Sequence, residues 1–255
     1  MMTSTPNHRR SNATAIRASA DPPAGSDTTY APWRDPTRLG LLALWLGLGS
    51  VAAFVAPKGT ADFDAGLVTT LVSAPFSGAV NPIFEALFNS LGVVPAVYAA
   101  LLLPGAKDQP RIPTVPPLAA SFALGFFALG PYLIAREPRT EPTARSSLGW
   151  ATRTIFESKI FAGANAAFAA FLIAYGAANF TSDAATGFVA MWREQSALAC
   201  VSSCDLAVLS IAMYGAVAED MRRRGCHDGV KAAAFCAVPV LGPCVYLLTR
   251  PSLPE

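Results

Sequence analysis

Six apolar runs separated by charged segments constrain the fold of this chain more than any other feature. They cover residues 39–56, 82–103, 115–135, 160–178, 197–218 and 232–248. Each is close to the roughly 20 apolar residues that a helix needs to cross the hydrocarbon core of a bilayer. Only 14% of the residues are charged, against roughly 25% in globular domains, so much of the surface is expected to face lipid. The sequence predicts an all-α fold, a polytopic membrane helical bundle with about six transmembrane helices.

The chain divides at its longest charged connection into two halves of three predicted helices each. A first membrane half at residues 39–138 is followed by a charged linker loop at 139–158 and a second membrane half at 159–255. With six spans, ten Lys and Arg residues fall on the side of this linker and six fall on the other side. This excess of positive charge favours a linker in the stroma or matrix, with both termini on the opposite face.

The two halves carry similar features in the same order. The middle run of each half holds a carboxylate, Glu85 or Asp205, and the last run of each half holds an LGP motif. The motifs read LGPYLIAREP from Leu129 and LGPCVYLLTRP from Leu241. Three helices in each half would place the two copies in opposite orientations, as in the inverted repeats of several transporters. The alternative is chance recurrence of Gly-Pro pairs, because the chain holds 19 Gly and 21 Pro.

The N-terminal segment, residues 1–38, has the composition of a transit peptide followed by an unstructured lead-in. It contains Arg9, Arg10 and Arg17, several Ser and Thr, and no acidic residue before Asp21. It lacks the apolar core of a secretory signal, so import into an organelle is the better interpretation. The sequence predicts a chloroplast membrane, thylakoid or inner envelope, with the mitochondrial inner membrane as the alternative address. A disordered, mildly basic tail is the competing interpretation of the same residues.

Glu85, Asn89 and Asp205 form the candidate intramembrane polar site. A carboxylate at membrane depth is costly and usually faces a partner, a cavity or a proton path. Glu85 and Asn89 are four residues apart and therefore share one face of a helix. If the two halves pack face to face, both carboxylates would line one central polar pocket. The alternative is that each carboxylate is hydrogen-bonded across neighbouring helices or reaches the lipid headgroups.

A basic cluster of Arg222, Arg223 and Arg224 adjoins the fifth run and predicts anchoring to anionic lipid headgroups. No sequence motif for metal or nucleotide binding occurs, so we predict neither a cofactor nor a metal site. The five cysteines show no paired framework, and four of them lie in apolar stretches, where Cys behaves as a small hydrophobe. The formal net charge of +2 and the lack of a basic stripe interleaved with aromatics exclude nucleic acid as a predicted partner.

Three stretches carry a family resemblance. They are EALFNSLGVVPAVYAALLLPG from Glu85, ASFALGFFALGPYLIAREP from Ala120, and VPVLGPCVYLLTRPSLPE at the C-terminus. With its ALFN, GxxP, GPYL and RPxLP elements in this order, the chain from about Leu39 onward resembles an uncharacterised multi-pass membrane protein family of cyanobacteria and plastids. The resemblance implies a plastid address rather than an activity. The VLGPCVYLL turn also resembles the membrane-anchor segment of cardiolipin synthases, whose phosphodiesterase motifs are missing here, so no catalytic residue carries over.

Three functional hypotheses follow from these features. The first is a non-enzymatic assembly, scaffold or auxiliary protein of the photosynthetic membrane, with the lipid bilayer and photosynthetic complex subunits as its partners. The second is a small membrane carrier that uses the intramembrane carboxylates. The third is a membrane enzyme acting on an isoprenoid or lipid, in which a carboxylate would protonate a double bond as a general acid. The lack of catalytic motifs favours a protein that is not an enzyme.

Overall fold

The computed structural model describes Met1, residues 35–107, Gln109 and residues 112–255. The transit-peptide prediction rests on Arg9, Arg10 and Arg17 and therefore lies outside the described residues. Within the described part, helices account for all regular structure, which confirms the predicted all-α class. The α-helices are α1 (Pro36–Ser50), α2 (Ala61–Ser73), α3 (Pro82–Leu102), α4 (Val115–Leu124), α5 (Phe126–Ala135), α6 (Lys159–Ala178), α7 (Ser182–Ala190), α8 (Ala197–Arg223), α9 (Gly229–Cys236) and α10 (Leu241–Thr249).

Four helices of the described part are long and apolar enough to cross a membrane. They are α1 with the helical turn that extends it to Val55, α3 with the turn that extends it to Gly105, α6 and α8. These helices identify a membrane protein, because a globular fold has no need for four apolar helices of this length. The six predicted spans are not confirmed, because the third and sixth apolar runs are each broken into two short helices, α4–α5 and α9–α10.

The helices α4 and α5 form a helical hairpin that enters the bundle and returns. The break falls at Gly125, whose φ of +53° lies in the left-handed region that favours glycine. Thr114 precedes α4, and its hydroxyl lies 2.7 Å from the hydroxyl of Tyr132 near the end of α5. The start of α4 and the end of α5 therefore lie side by side. The tip lies at mid-depth, because Trp45, about halfway along α1, donates a hydrogen bond to the Phe127 carbonyl beside it.

The helices α9 and α10 form a second hairpin of the same kind. Its break falls at Val240, which has a φ of +65°. The first hairpin ends at Arg136, which is paired with Glu219 on α8. The second ends at Arg250, which is paired with the adjacent Asp220. Both hairpins therefore return to the same end of the bundle, which is called the basic end below.

The distribution of positive charge agrees with this arrangement. Of the fourteen described Lys and Arg residues, only Lys58, after α1, and Arg193, after α7, lie at the opposite, or far, end. The other twelve lie at or near the basic end. The prediction of six spans placed ten Lys and Arg residues on the side of the charged linker and six on the other side. It also placed both chain termini on the side opposite the linker. In the structure Asp35 and Arg250 lie at the same end as that linker, since Arg38 binds the Arg136 carbonyl and Arg250 binds Glu157.

The two halves repeat the order long helix, short helix, long helix and hairpin, and they do so in the same orientation. At the start of α1, Arg38 donates hydrogen bonds to the carbonyls that end α5. At the start of α6, Lys159 donates in the same way to the carbonyls that end α10. The inverted arrangement required three crossings in each half. Two crossings and a hairpin return each half to its starting side, which gives a parallel arrangement.

Candidate functional site

A cavity of about 700 Å³ lies beneath the tip of the first hairpin. Helices α3, α6 and α8 contribute to its wall, together with α2 and the residues on either side of Gly125. Its polar side chains are those of Asn89, Ser121, Asn165, Ser202 and Asp205, and its aromatic side chains are those of Phe88, Phe122, Phe127 and Phe168. Polar groups on four helices, α3, α4, α6 and α8, thus meet at the level where the hairpin reverses direction.

Asp205 binds the hairpin tip directly. Its Oδ1 accepts a hydrogen bond of 2.8 Å from the backbone N–H of Phe126, the first residue of α5. A negative charge is favoured at this position, because the first turn of a helix carries unpaired N–H groups and the positive end of the helix dipole. A Cβ atom on Gly125 would lie 1.6 Å from Asp205 Oδ2. Only a glycine lets the backbone approach the carboxylate this closely.

The cavity is rich in hydrogen-bond acceptors that lack a donor. Asn89 uses its Nδ2 to donate to the Glu85 carbonyl on its own helix, at 2.9 Å. Asn165 likewise donates to the Phe161 carbonyl, at 2.9 Å. The amide oxygens of both residues, the Ser202 hydroxyl and Asp205 Oδ2 accept no hydrogen bond from any described residue. The cavity therefore offers several oxygen atoms, one of them on a carboxylate, to a ligand that carries donors or positive charge.

The structure brings together two of the three residues that the sequence predicted for this site. Asn89 and Asp205 share the cavity, whereas Glu85 does not line it. Glu85 Oε1 accepts from the backbone N–H of Phe76 at 2.6 Å, and its Oε2 accepts from the Tyr175 hydroxyl at 2.8 Å. Both oxygens of this buried carboxylate are thus used to join α3 to α6 and to the segment before α3. These contacts agree with the alternative interpretation, in which Glu85 is hydrogen-bonded across neighbouring helices.

Sequence reasoning did not assign Ser121, Asn165 or Ser202 to the site. Asn165 is the only amide within an Ala-rich run of α6, and that isolation among small apolar residues was the available signal. Ser202 adjoins Ser203 in α8, and periodicity alone does not tell which of two neighbouring hydroxyls faces a cavity. Ser203 donates its hydroxyl to the Ala199 carbonyl of its own helix, so the two serines have different roles.

A network of buried ion pairs joins both hairpins to α8 at the basic end. Arg136 binds Glu219 through two nitrogens. Asp220 accepts hydrogen bonds from Arg223, Arg224 and Arg250, and also from the Tyr246 hydroxyl at 2.8 Å. Four arginines in total meet three carboxylates here, the third being that of Glu157. The backbone carbonyls of Ala100 and Leu101 accept further hydrogen bonds from these arginines, so the end of α3 is held as well.

This network corrects the prediction that Arg222, Arg223 and Arg224 all anchor to lipid headgroups. The side chains of Arg223 and Arg224 are 0% exposed and paired with carboxylates, so they cannot reach headgroups. Arg222 alone is exposed. Burial lowers the pKa of the Arg224 guanidinium, but Asp220 and Glu157 more than offset this and raise the pKa above its ordinary value. Arg224 therefore stays charged inside the network.

The cavity has the size and character of a small-molecule site. Known ligand pockets span roughly 300–1,000 Å³ and combine apolar walls with a few convergent polar groups. No cluster of three or more His, Cys, Asp or Glu side chains suited to a metal ion occurs in the described residues. The resemblance to a cyanobacterial and plastid membrane family stays a prediction. No family model, curated protein or solved structure matches this chain.

Proposed function

We propose that this protein is a small membrane carrier that binds a small organic cation in the cavity beneath the first hairpin. The observation that supports this proposal most is the set of unpaired oxygen atoms around Asp205. A buried carboxylate with one free oxygen is unfavourable in a membrane unless a positive charge or a donor meets it. An ammonium group supplies both.

Size and aromatic lining favour an organic cation over a bare metal ion. A cavity of about 700 Å³ is much larger than one inorganic ion requires. Four phenylalanine rings line the same cavity, and aromatic faces attract ammonium groups within about 6 Å of the ring centre. The amide oxygens of Asn89 and Asn165 would accept hydrogen bonds from the N–H groups of the ligand.

The hairpins supply the elements that a carrier needs. Helices broken at mid-membrane, whose ends face the ligand, are a recurrent feature of transporter binding sites. The ion-pair network ties both hairpins to α8 and holds the end of α3 at the basic end, and we infer that it closes the cavity toward that end. We infer that release toward the basic end requires separation of these pairs. By the positive-inside rule, this end would face the stroma, matrix or cytoplasm.

The Asp205→Asn variant tests the binding step. Asparagine keeps an oxygen for the Phe126 N–H, so the hairpin contact is preserved while the negative charge is removed. With choline and methylamine as probes, we expect each to raise the thermal unfolding temperature of the purified full-length protein. We expect the variant to bind at least about tenfold more weakly, since charge-assisted hydrogen bonds contribute about 1.5–3 kcal/mol.

The matched control is Glu194→Gln, which removes one negative charge at an exposed position. It should bind both probes as the unaltered protein does. Uptake of the same probes into proteoliposomes should be lost in Asp205→Asn and kept in Glu194→Gln. Equal binding by Asp205→Asn and the unaltered protein would contradict the proposal. Stabilisation by Na⁺ or K⁺ but by neither ammonium probe would contradict the assignment to organic cations.

The other hypotheses stay predictions. Co-migration with a photosystem or cytochrome complex on native gels tests the assembly role, and accumulation of one lipid precursor in a deletion strain tests the enzymatic role. Chloroplast location is tested by import into isolated plastids.

A further inference from the structure

A groove runs between α8 and α1, a helix that does not line the cation cavity. Its inner section is a cavity of about 640 Å³ lined by apolar and small residues, including Ala43 and Gly47 on α1 and Val51 in the turn that extends α1. Its outer section is a cavity of about 470 Å³ at the basic end. The two sections adjoin, because Gly40, Leu44 and Ile211 line both.

The groove exists because small residues of α1 face α8. A Cβ atom on Gly40 or Gly47 would meet no atom within 4 Å. From Gly40 to Val51 the groove follows α1 for about 16 Å, at 1.5 Å per residue. This length is close to half of the roughly 30 Å hydrocarbon core, the depth of one lipid leaflet. The groove therefore fits one acyl chain of a lipid whose headgroup lies at the basic end.

The outer section carries unmatched positive charge. Arg38 is paired there with Asp35 at 3.3 Å, and Arg136 is paired with Glu219. Arg222 also lines this section and is exposed, and its side chain forms no hydrogen bond or ion pair with any described residue. The Nε of Arg136 is buried and has no hydrogen-bond partner among the described residues. Counted over the described residues alone, the mouth of the groove thus has one excess positive charge and an unused buried N–H.

We infer that this groove binds an anionic phospholipid, with one acyl chain between α1 and α8 and the phosphate beside Arg222. Charge at the mouth selects the headgroup, since a basic residue at a membrane surface attracts anionic lipid. Moving the acyl chain from the bilayer into the apolar inner section changes its free energy little, because both environments are apolar. The preference for anionic over zwitterionic lipid therefore comes from the headgroup. The fit of the acyl chain in the groove decides whether the headgroup can approach Arg222.

Lipid retention tests the inference. The full-length protein is reconstituted into vesicles of equal parts phosphatidylglycerol and phosphatidylcholine and repurified in mild detergent, and the bound lipid is measured by mass spectrometry. We expect the unaltered protein to retain phosphatidylglycerol preferentially. Arg222→Gln should lower this preference about fivefold, the factor expected for one basic residue near a membrane surface. Gly47→Leu should displace the chain and lower total retention by a similar factor.

Two control variants separate the groove from general effects. Arg153→Gln removes an exposed charge at the same end, and Gly49→Leu adds the same side chain to α1 where a Cβ likewise meets no atom within 4 Å. Both should retain lipid as the unaltered protein does. Retention by Arg222→Gln and Gly47→Leu equal to these controls would overturn the inference. The inference would also be overturned if inorganic phosphate stabilised the unaltered protein and Gly47→Leu equally and the unaltered protein retained no lipid preferentially. The site would then bind free phosphate.

Discussion

Replacing Gly125 with alanine is expected to destabilise the folded protein by about 3 kcal/mol or more. The φ of +53° is unfavourable for a residue with a side chain, and such strain amounts to about 1–3 kcal/mol. In addition, the new Cβ would lie 1.6 Å from Asp205 Oδ2, so the carboxylate must leave the hairpin tip. Thermal or denaturant unfolding of the purified protein measures the loss, and cation binding should fall with it.

The matched control is Gly49→Ala in α1, where a Cβ meets no atom within 4 Å. This variant should be neutral or more stable by about 0.5–1 kcal/mol, because alanine favours helix over glycine. A second comparison separates strain from collision. In an Asp205→Ala background the collision is absent, so Gly125→Ala should destabilise less than it does alone. Equal effects in both backgrounds would show that Asp205 does not contact the tip.

Replacing Asp220 with asparagine is expected to destabilise the protein by about 3–5 kcal/mol, the range for one partner removed from a buried ion pair. Asp220 is fully buried and accepts from three arginines and from Tyr246. Without its charge, four arginines would share the carboxylates of Glu157 and Glu219 alone. Because these arginines hold both hairpins, we expect unfolding to begin at the basic end. Proteolysis of the linker at residues 139–158 should therefore accelerate.

Asp228→Asn provides the control for this substitution. Asp228 is also near the basic end, but it is partly exposed and caps α9 by accepting hydrogen bonds from the backbone of Val230 and Lys231. Asparagine caps a helix about as well as aspartate, so stability should change by less than about 0.5 kcal/mol. A loss for Asp220→Asn no larger than for Asp228→Asn would mean that the network contributes little.

The apolar runs predict where helices form but not whether each run crosses the membrane. The second run, 82–103, coincides closely with α3. The third run, 115–135, has the length of a span, yet Gly125 divides it into a hairpin. Length and hydrophobicity are the same for a span and for a buried hairpin, so they do not distinguish the two. The distribution of Lys and Arg distinguishes the two arrangements. Only if the third and sixth runs are hairpins do nearly all of these residues lie at one end of the bundle.

The candidate site was also only partly predictable from the sequence. Asp205 was recognisable because a carboxylate at membrane depth requires a partner. Its partner, the N–H of Phe126, became visible only once the hairpin tip was placed beside it. The pairing of Arg223 and Arg224 had a local signal, since Glu219 and Asp220 precede them by three or four residues on the same helix.

The position of the hairpins is the claim on which the cavity, the closed basic end and the lipid groove all depend. It is tested by labelling single cysteines, placed in a cysteine-free background, with a membrane-impermeant maleimide. Lys107→Cys and Ser146→Cys flank the first hairpin, and Asp62→Cys marks the far end; all three positions are exposed. We predict that the first two label from one side of the membrane and the third from the other. Labelling of Lys107→Cys and Ser146→Cys from opposite sides would show that the third run is a span and would contradict the account.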